Sequence, residues 1–278
     1  MTALLPIRTS TRLAAAGLLL LLAAGAAAAE SPAVSAVEVQ RTAMTVRLAD
    51  GRRLAGAALV GLTVEIPVGS DGKPMAVRID AVAPDPRDRS GETTLYALSV
   101  ADGPGGARRA LCQPDPFGER WGFPLAAAYD AAGRAAGPVA ITCTAGAQAK
   151  CIRFGYRPWH PEMVALHAAC THMVRADYCG DGRPHTRNGT RINYYDHGGV
   201  IVDDPWPGMS FEAAWTPQGA ACVARTRIPA VATLEQVLAE CPRLRAAANG
   251  PGCTDRAPGA ILFNRSFAPG EGAAGETH

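Results

Sequence analysis

Between Val34 and about Gly146, apolar and polar residues alternate in short runs broken by glycine, proline and aspartate. That is the period of strands whose two faces meet different surroundings. AMTVRLADGRRLAG (43–56) predicts a hairpin turning at Asp50 and Gly51. LVGLTVEIPVG, MAVRIDAVAP, TTLYALSVADG and PVAITCTAG predict further strands, with DGKP, PDPRDRSG and DGPGG as the turns between them. AAAYDAAGRAAG (126–137) predicts a strand, a turn at Gly133 and a second strand.

The period changes after about Ala147. PEMVALHAACTHMV (161–174) places Met163, Leu166, Ala169, Cys170 and Met173 at three-to-four spacing behind Pro161, which predicts an amphipathic helix. ATLEQVLAEC (232–241) predicts a second helix capped by Thr233. Between these helices, Asn188 and Gly189 mark a turn between extended arms, and FEAAWTPQGAACVARTR predicts a hairpin around Pro217 to Gly219. The expected fold is α+β, mainly antiparallel β with two short helices and disulfide-stapled. The expected organisation is a β-rich domain over 30–146, a cystine- and aromatic-rich domain over 147–268, and a glycine-rich disordered tail over 269–278.

Charge and the N-terminal pattern narrow the setting. Arg8 and Arg12 precede an apolar stretch from Leu13 that ends in small residues, which predicts a signal peptide over 1–29 cleaved after Ala29. No cysteine occurs before Cys112, so no lipid-acceptor thiol lies at the cleavage point. The expected location is extracytoplasmic, periplasmic or secreted, with no membrane span after cleavage. Of 27 basic and 25 acidic residues in 278, cleavage removes two arginines and leaves a balanced chain without a Lys/Arg run. Nucleic acid and anionic membranes demand concentrated basic surface, so neither is an expected partner.

The cysteines are Cys112, Cys143, Cys151, Cys170, Cys179, Cys222, Cys241 and Cys253. An even count in an exported chain predicts four disulfides. Eight cysteines allow about 105 pairings. Cys112 with Cys143, across two strands, and Cys241 with Cys253, closing a short loop, are the pairings expected first. No C-x-x-C pair is present to suggest zinc.

KCIRFGYRPW (150–159), HAACTHMVRADYCGDG (167–182), HTRNGTRINYYD (185–196), FEAAW (211–215) and GAACVARTR (219–227) follow one another in fixed order. Together, over roughly 110–265, they resemble the ADYC-domain proteins, a family of exported, functionally uncharacterised bacterial proteins. The resemblance implies export and carries no chemistry, so candidate sites rest on the residues.

Cys179 is a nucleophile only if it is free and beside a base such as His172, His185 or His197, and a half-cystine cannot attack. A hydrolase would draw on Asp177, His185 and Asp196, with or without a metal. His167 and His172, five apart, lie about 140° from each other on a helix and do not form the i, i+4 pair of a zinc protease. DYCGDGRPHTRNG lacks the carboxylate spacing of a calcium loop. Gly180 and Gly182 instead suit a turn that Asp177 fixes through backbone or Arg175 hydrogen bonds. No phosphate loop, dinucleotide fingerprint, serine elbow or H-E-x-x-H is present, and no metal or cofactor is expected.

Aromatics cluster in the second half. Trp159, Tyr178, Tyr195 and Trp206 are candidate binding residues for a glycan or protein ligand, against the plainer alternative that they fill a cystine-rich core. Trp206, between Pro205 and Pro207, is the one expected at the surface. The first reading is a non-enzymatic binding or structural module, the second a secreted hydrolase.

Overall fold

The structure is a computed structural model that describes residues 33–68, 73–103, 105–248 and 252–267. The predicted signal peptide and the predicted tail lie outside the described residues. In chain order the strands are β1 Val34–Gln40, β2 Ala43–Leu48, β3 Arg53–Ala55, β4 Thr63–Val68, β5 Lys73–Pro84, β6 Thr94–Ala101, β7 Arg108–Ala110, β8 Trp121–Tyr129 and β9 Ala135–Cys143. After them come α1 Ala147–Arg153, α2 Val164–Arg175, β10 Ile192–Asp196, β11 Met209–Thr216, β12 Gly219–Val223, α3 Leu234–Glu240, α4 Pro242–Ala248 and β13 Leu262–Phe267.

Strands β4, β5, β6, β8 and β9 close into a barrel, each antiparallel to the next in this series. Five such strands form an odd series, so the first and last run the same way and the pair that closes the ring must be parallel. That pair is β4 with β9, at Val68 and Ile141. Closure needs one strand long enough to serve two neighbours. β5 pairs with β4 through its first half and with β6 through its second, with a register shift between Ile79 and Ala81 where the strand bends. The alternation read from the sequence sets the faces, since Val64, Ile66, Val77 and Ile79 are buried while Thr63, Glu65 and Arg78 are exposed. Burying each such side chain stabilises by about 1.5 to 3 kcal/mol.

The three-stranded sheet β1–β2–β3 covers the barrel, contributing Met44, Val46 and Leu48 to the same core. The Tyr96 hydroxyl on β6 accepts the Met44 N–H at 2.7 Å and ties the two layers together.

A second core lies beneath α2, which packs on the antiparallel sheet β10–β13–β11–β12. Tyr156, Met173, Tyr178, Trp215, Leu244 and Leu262 are buried in it. Thr233 and Gln236 form a reciprocal capping box at the start of α3. Arg153 on α1 reaches back to the barrel loops, donating to Asp85 at 2.7 Å and Asp115 at 2.8 Å with all three side chains nearly excluded from water. Arg157 meets Asp88 at 2.5 Å beside them. These arginines join the two cores.

All eight cysteines are paired. Cys112 bonds Cys143 as expected, and Cys151 on α1 bonds Cys170 on α2. The expected Cys241–Cys253 loop is absent: Cys241 bonds Cys179, and Cys253 bonds Cys222 on β12. Turn formation after α2 carries Cys179 to the end of α3, 62 residues on, a proximity that no local spacing announces.

The expected fold class also needs correction. The chain is mostly β and built on a closed barrel of mixed pairing, and four α-helices occur among the described residues instead of two. Alternation reports which face of a strand is buried but not whether the sheet closes, so the parallel pair was invisible. α1 and α4 are each seven residues long, too short for a helical period to stand out.

Candidate functional site

The turn after α2 carries Asp177, Tyr178 and Cys179 in succession. Ala176 ends the helix in the left-handed conformation, φ 49° and ψ 40°, and its N–H donates to the carbonyls of His172 and Met173. The chain doubles back, and the buried Asp177 carboxylate closes the turn. Its Oδ1 accepts the N–H of Gly180 at 2.9 Å and of Asp181 at 3.1 Å, and its Oδ2 accepts the N–H of Gly182 at 2.8 Å. His172 Nδ1 lies 2.8 Å from the same Oδ2. Burial acts to raise the Asp177 pKa, but the hydrogen bonds from His172 and Gly182 outweigh it and hold the carboxyl below the ordinary range. Arg175 does not reach this carboxylate; it donates to the Gly182 carbonyl.

The next two residues point into the core. Tyr178 is fully buried and stacks on Trp215 with ring centroids 5.5 Å apart. Its hydroxyl donates to Glu212 at 3.2 Å and accepts the Arg227 N–H at 2.8 Å. Burial, then the neighbouring Glu212 charge, pushes its phenol far above the usual value. Cys179 is in its disulfide. At Gly180, φ +74°, a Cβ would lie 2.0 Å from the Gln218 carbonyl oxygen, so only glycine allows the turn to meet the β11–β12 hairpin. Arg243 on α4 seals the junction by donating to the carbonyls of Tyr178 at 3.0 Å, Cys179 at 3.1 Å and Ala220.

The other polar candidates are spent separately. His185 is buried, with Nδ1 3.1 Å from the Ala176 carbonyl, Nε2 3.8 Å from Glu240 and its ring stacked on Tyr178. Asp196 accepts the Tyr156 hydroxyl at 2.9 Å, the Ile201 N–H at 2.9 Å and the Val200 N–H at 3.2 Å, which fixes the turn after β10. Asp177 therefore pairs with His172, Asp196 with Tyr156, and His185 with a carbonyl and Glu240. The left-handed Ala176 explains the His172–Asp177 contact, because an i, i+5 pair meets only where the helix has ended. Among the described residues no group of three or more His, Cys, Asp or Glu side chains is placed to hold a metal ion. None of their helices is long and apolar enough to cross a membrane.

The aromatic candidates divide. Trp159 packs against the barrel core and its indole N–H donates to Glu92, which also meets His160 Nε2 at 2.9 Å. Tyr195 is buried against Phe263, and burial pushes its phenol up to about 12. Trp206 is 50% exposed. It borders a groove of about 240 Å³ formed with Ile192, Asn193, Tyr194, Ile201, Val202, Asp204 and Met209. Tyr194, one of these residues, stacks on Phe154 at 4.2 Å. The Arg191 guanidinium lies 4.7 Å from the Trp206 ring centre, and Arg265 holds the adjoining loop through Asp203 at 2.8 Å. The Asn193 side-chain carbonyl is buried without a hydrogen-bond partner. Sequence reading found Trp206 through its prolines but missed Asn193, Val202 and Asp204, which gain their place only from the return of the 201–209 segment past β10.

An ADYC-domain model matches residues 56–229, from the 3-10 turn before β4 through the barrel, α2 and the β11–β12 hairpin. No curated protein and no solved structure matches the chain. The tetrapeptide Ala176–Cys179 reads ADYC, the letters of the family's name, and this chain belongs to the ADYC-domain family.

Proposed function

We propose that this ADYC-domain protein is an exported, non-enzymatic binding module that holds a sugar ring in the Trp206 groove. One observation carries the reading. Trp206 is the one indole of the candidate set left half open, and it shares a groove with an amide, a carboxylate and a neighbouring guanidinium. An indole offers a flat apolar face for the C–H face of a pyranose, while Asp204 offers an acceptor to its hydroxyls. The groove volume suits a single ring.

The remaining candidates favour binding over hydrolysis. Asp177, His185 and Asp196 each spend their polar atoms on structural partners. Four disulfides are consistent with an oxidising compartment, in agreement with the signal peptide expected over 1–29. In this reading residues 30–146 serve as scaffold and 147–268 carry the ligand.

The test is a glycan array with the oxidised mature protein, followed by titration of any hit against Trp206→Ala and Asp204→Asn. Loss of a stacked ring should weaken binding by about tenfold or more. A hit unaffected by Trp206→Ala, or an array with no hit, overturns the assignment of this groove.

A further inference from the structure

On the outer face of the barrel, far in sequence from Trp206, a cleft of about 340 Å³ is lined by Arg78, Asp80, Ser99, Arg108, Arg109 and Arg120 among its residues. We propose that it binds a compact polyanion carrying two adjacent oxyanion groups.

Three neighbouring strands bring the cations together. Arg78 on β5 is in register with Ser99 on β6, and Ser99 with Ala110 on β7, so Arg78, Ser99 and the β7 arginines come from adjacent rungs. Arg120 enters from the start of β8. Arg78, Arg108 and Arg120 thus set three guanidinium groups against one carboxylate of the lining, Asp80, which sits 3.6 Å from Arg78. Like charges on neighbouring strands cost stability. In a mature chain of balanced charge, such a local excess concentrates positive potential in one concave site.

Two of the arginines are held in place by the protein. Arg108 donates through Nε to the Ser99 hydroxyl at 3.0 Å and through Nη2 to the Ser99 carbonyl at 2.8 Å. Arg120 donates through Nη1 to the carbonyl of Cys112, beside the Cys112–Cys143 disulfide. Each fixed guanidinium keeps further N–H donors beyond these bonds, and planar forks held this way match phosphate and carboxylate oxygens. Arg109 meets Asp102 at 2.9 Å on an exposed rim, where such a pair is weak and exchangeable. A plainer role is available to β7, an edge strand that its arginines would shield from pairing with other chains. That role needs charge but neither Ser99 nor Arg120.

Calorimetric titration of the oxidised protein at low salt, with inorganic pyrophosphate in one arm and citrate in the other, tests the cleft. One-to-one binding that weakens with salt is expected, pyrophosphate alone marking a phosphate site and both ligands a general oxyanion site. Arg108→Ala and Arg78→Gln should each weaken it by about tenfold, the second variant being at an exposed position that folding tolerates. Arg134→Ala, which removes an equal charge from the distant β8–β9 turn, should leave it unchanged, as should Trp206→Ala. No binding in either arm, or an equal loss with Arg134→Ala, overturns the proposal.

Discussion

Glu212 on β11 and Arg227 face each other at 3.0 Å with side chains 0% and 1% exposed. The pair is surrounded by its own hydrogen bonds: Tyr178 and Ser266 hydroxyls donate to the carboxylate at 3.2 and 2.5 Å. Arg227 also donates to the Met173 and Val174 carbonyls at 2.7 and 3.1 Å, in the last turn of α2, where carbonyls lack helical partners. The two charges thus hold α2, the turn after it and the sheet in one arrangement.

Removing one partner leaves the other charge buried and uncompensated. Arg227→Met should destabilise by about 3 to 5 kcal/mol, while Glu212→Leu combined with Arg227→Met should cost far less. Urea unfolding of oxidised protein reads both. A double variant no more stable than Arg227→Met would show that the carboxylate is not a burden once its partner is gone.

Asp177 and His172 are unequal partners. The carboxylate satisfies three backbone N–H groups, the imidazole one oxygen. Asp177→Ala strands those donors inside the turn and should cost about 2 to 4 kcal/mol, whereas His172→Gln should cost about 1 kcal/mol or less. Thermal unfolding ranks them. The reverse order would show that the pair, and not the turn, is what Asp177 serves.

The disulfides should differ by loop length. Cys179–Cys241 spans 62 residues and Cys151–Cys170 spans 19. Restricting the unfolded chain predicts losses of about 4 and about 3 kcal/mol when each pair is replaced by alanines. Denaturant midpoints of the two double variants check this, and a larger loss from the shorter loop would point to native packing around Cys151 and Cys170 instead.

What could be read in advance was local. The alternation that buries Val64 and Ile66, the 133 and 217–219 turns, and the Thr233 cap each depend on neighbours a few residues apart. The hairpin expected on both sides of Asn188 is only half present, since β10 is a strand but 185–190 is an irregular loop tied to Arg175 and Arg187 carbonyls. Barrel closure, the Cys179–Cys241 pair and the Glu212–Arg227 contact join segments whose meeting is set by packing. A buried glutamate in FEAAW carries the same letter as an exposed one. Trp206 was legible because two prolines and two aspartates around an indole are poor core material. Its polar neighbours were not.

His167, on the inner face of α2, should give the fold a pH dependence in the weakly acidic range. The residue is 7% exposed, with Nε2 3.3 Å from the Gln148 carbonyl. Burial pulls its pKa down from 6.5 to about 4, the carbonyl opposing only in part. A folded value below the unfolded one means that the unfolded chain takes up the proton first as pH falls. Stability from this group is therefore complete above about 6.5 and declines between about 6.5 and 4, by about 3 kcal/mol at the limit. Asp177, lowered from 3.8, loses its contribution only below that window. Urea unfolding at pH 7.0 and 4.5 should show the decline in the native protein, and His167→Leu should abolish most of it while leaving the loss below pH 4 in place. An unchanged slope in His167→Leu would assign the weakly acidic loss to another group.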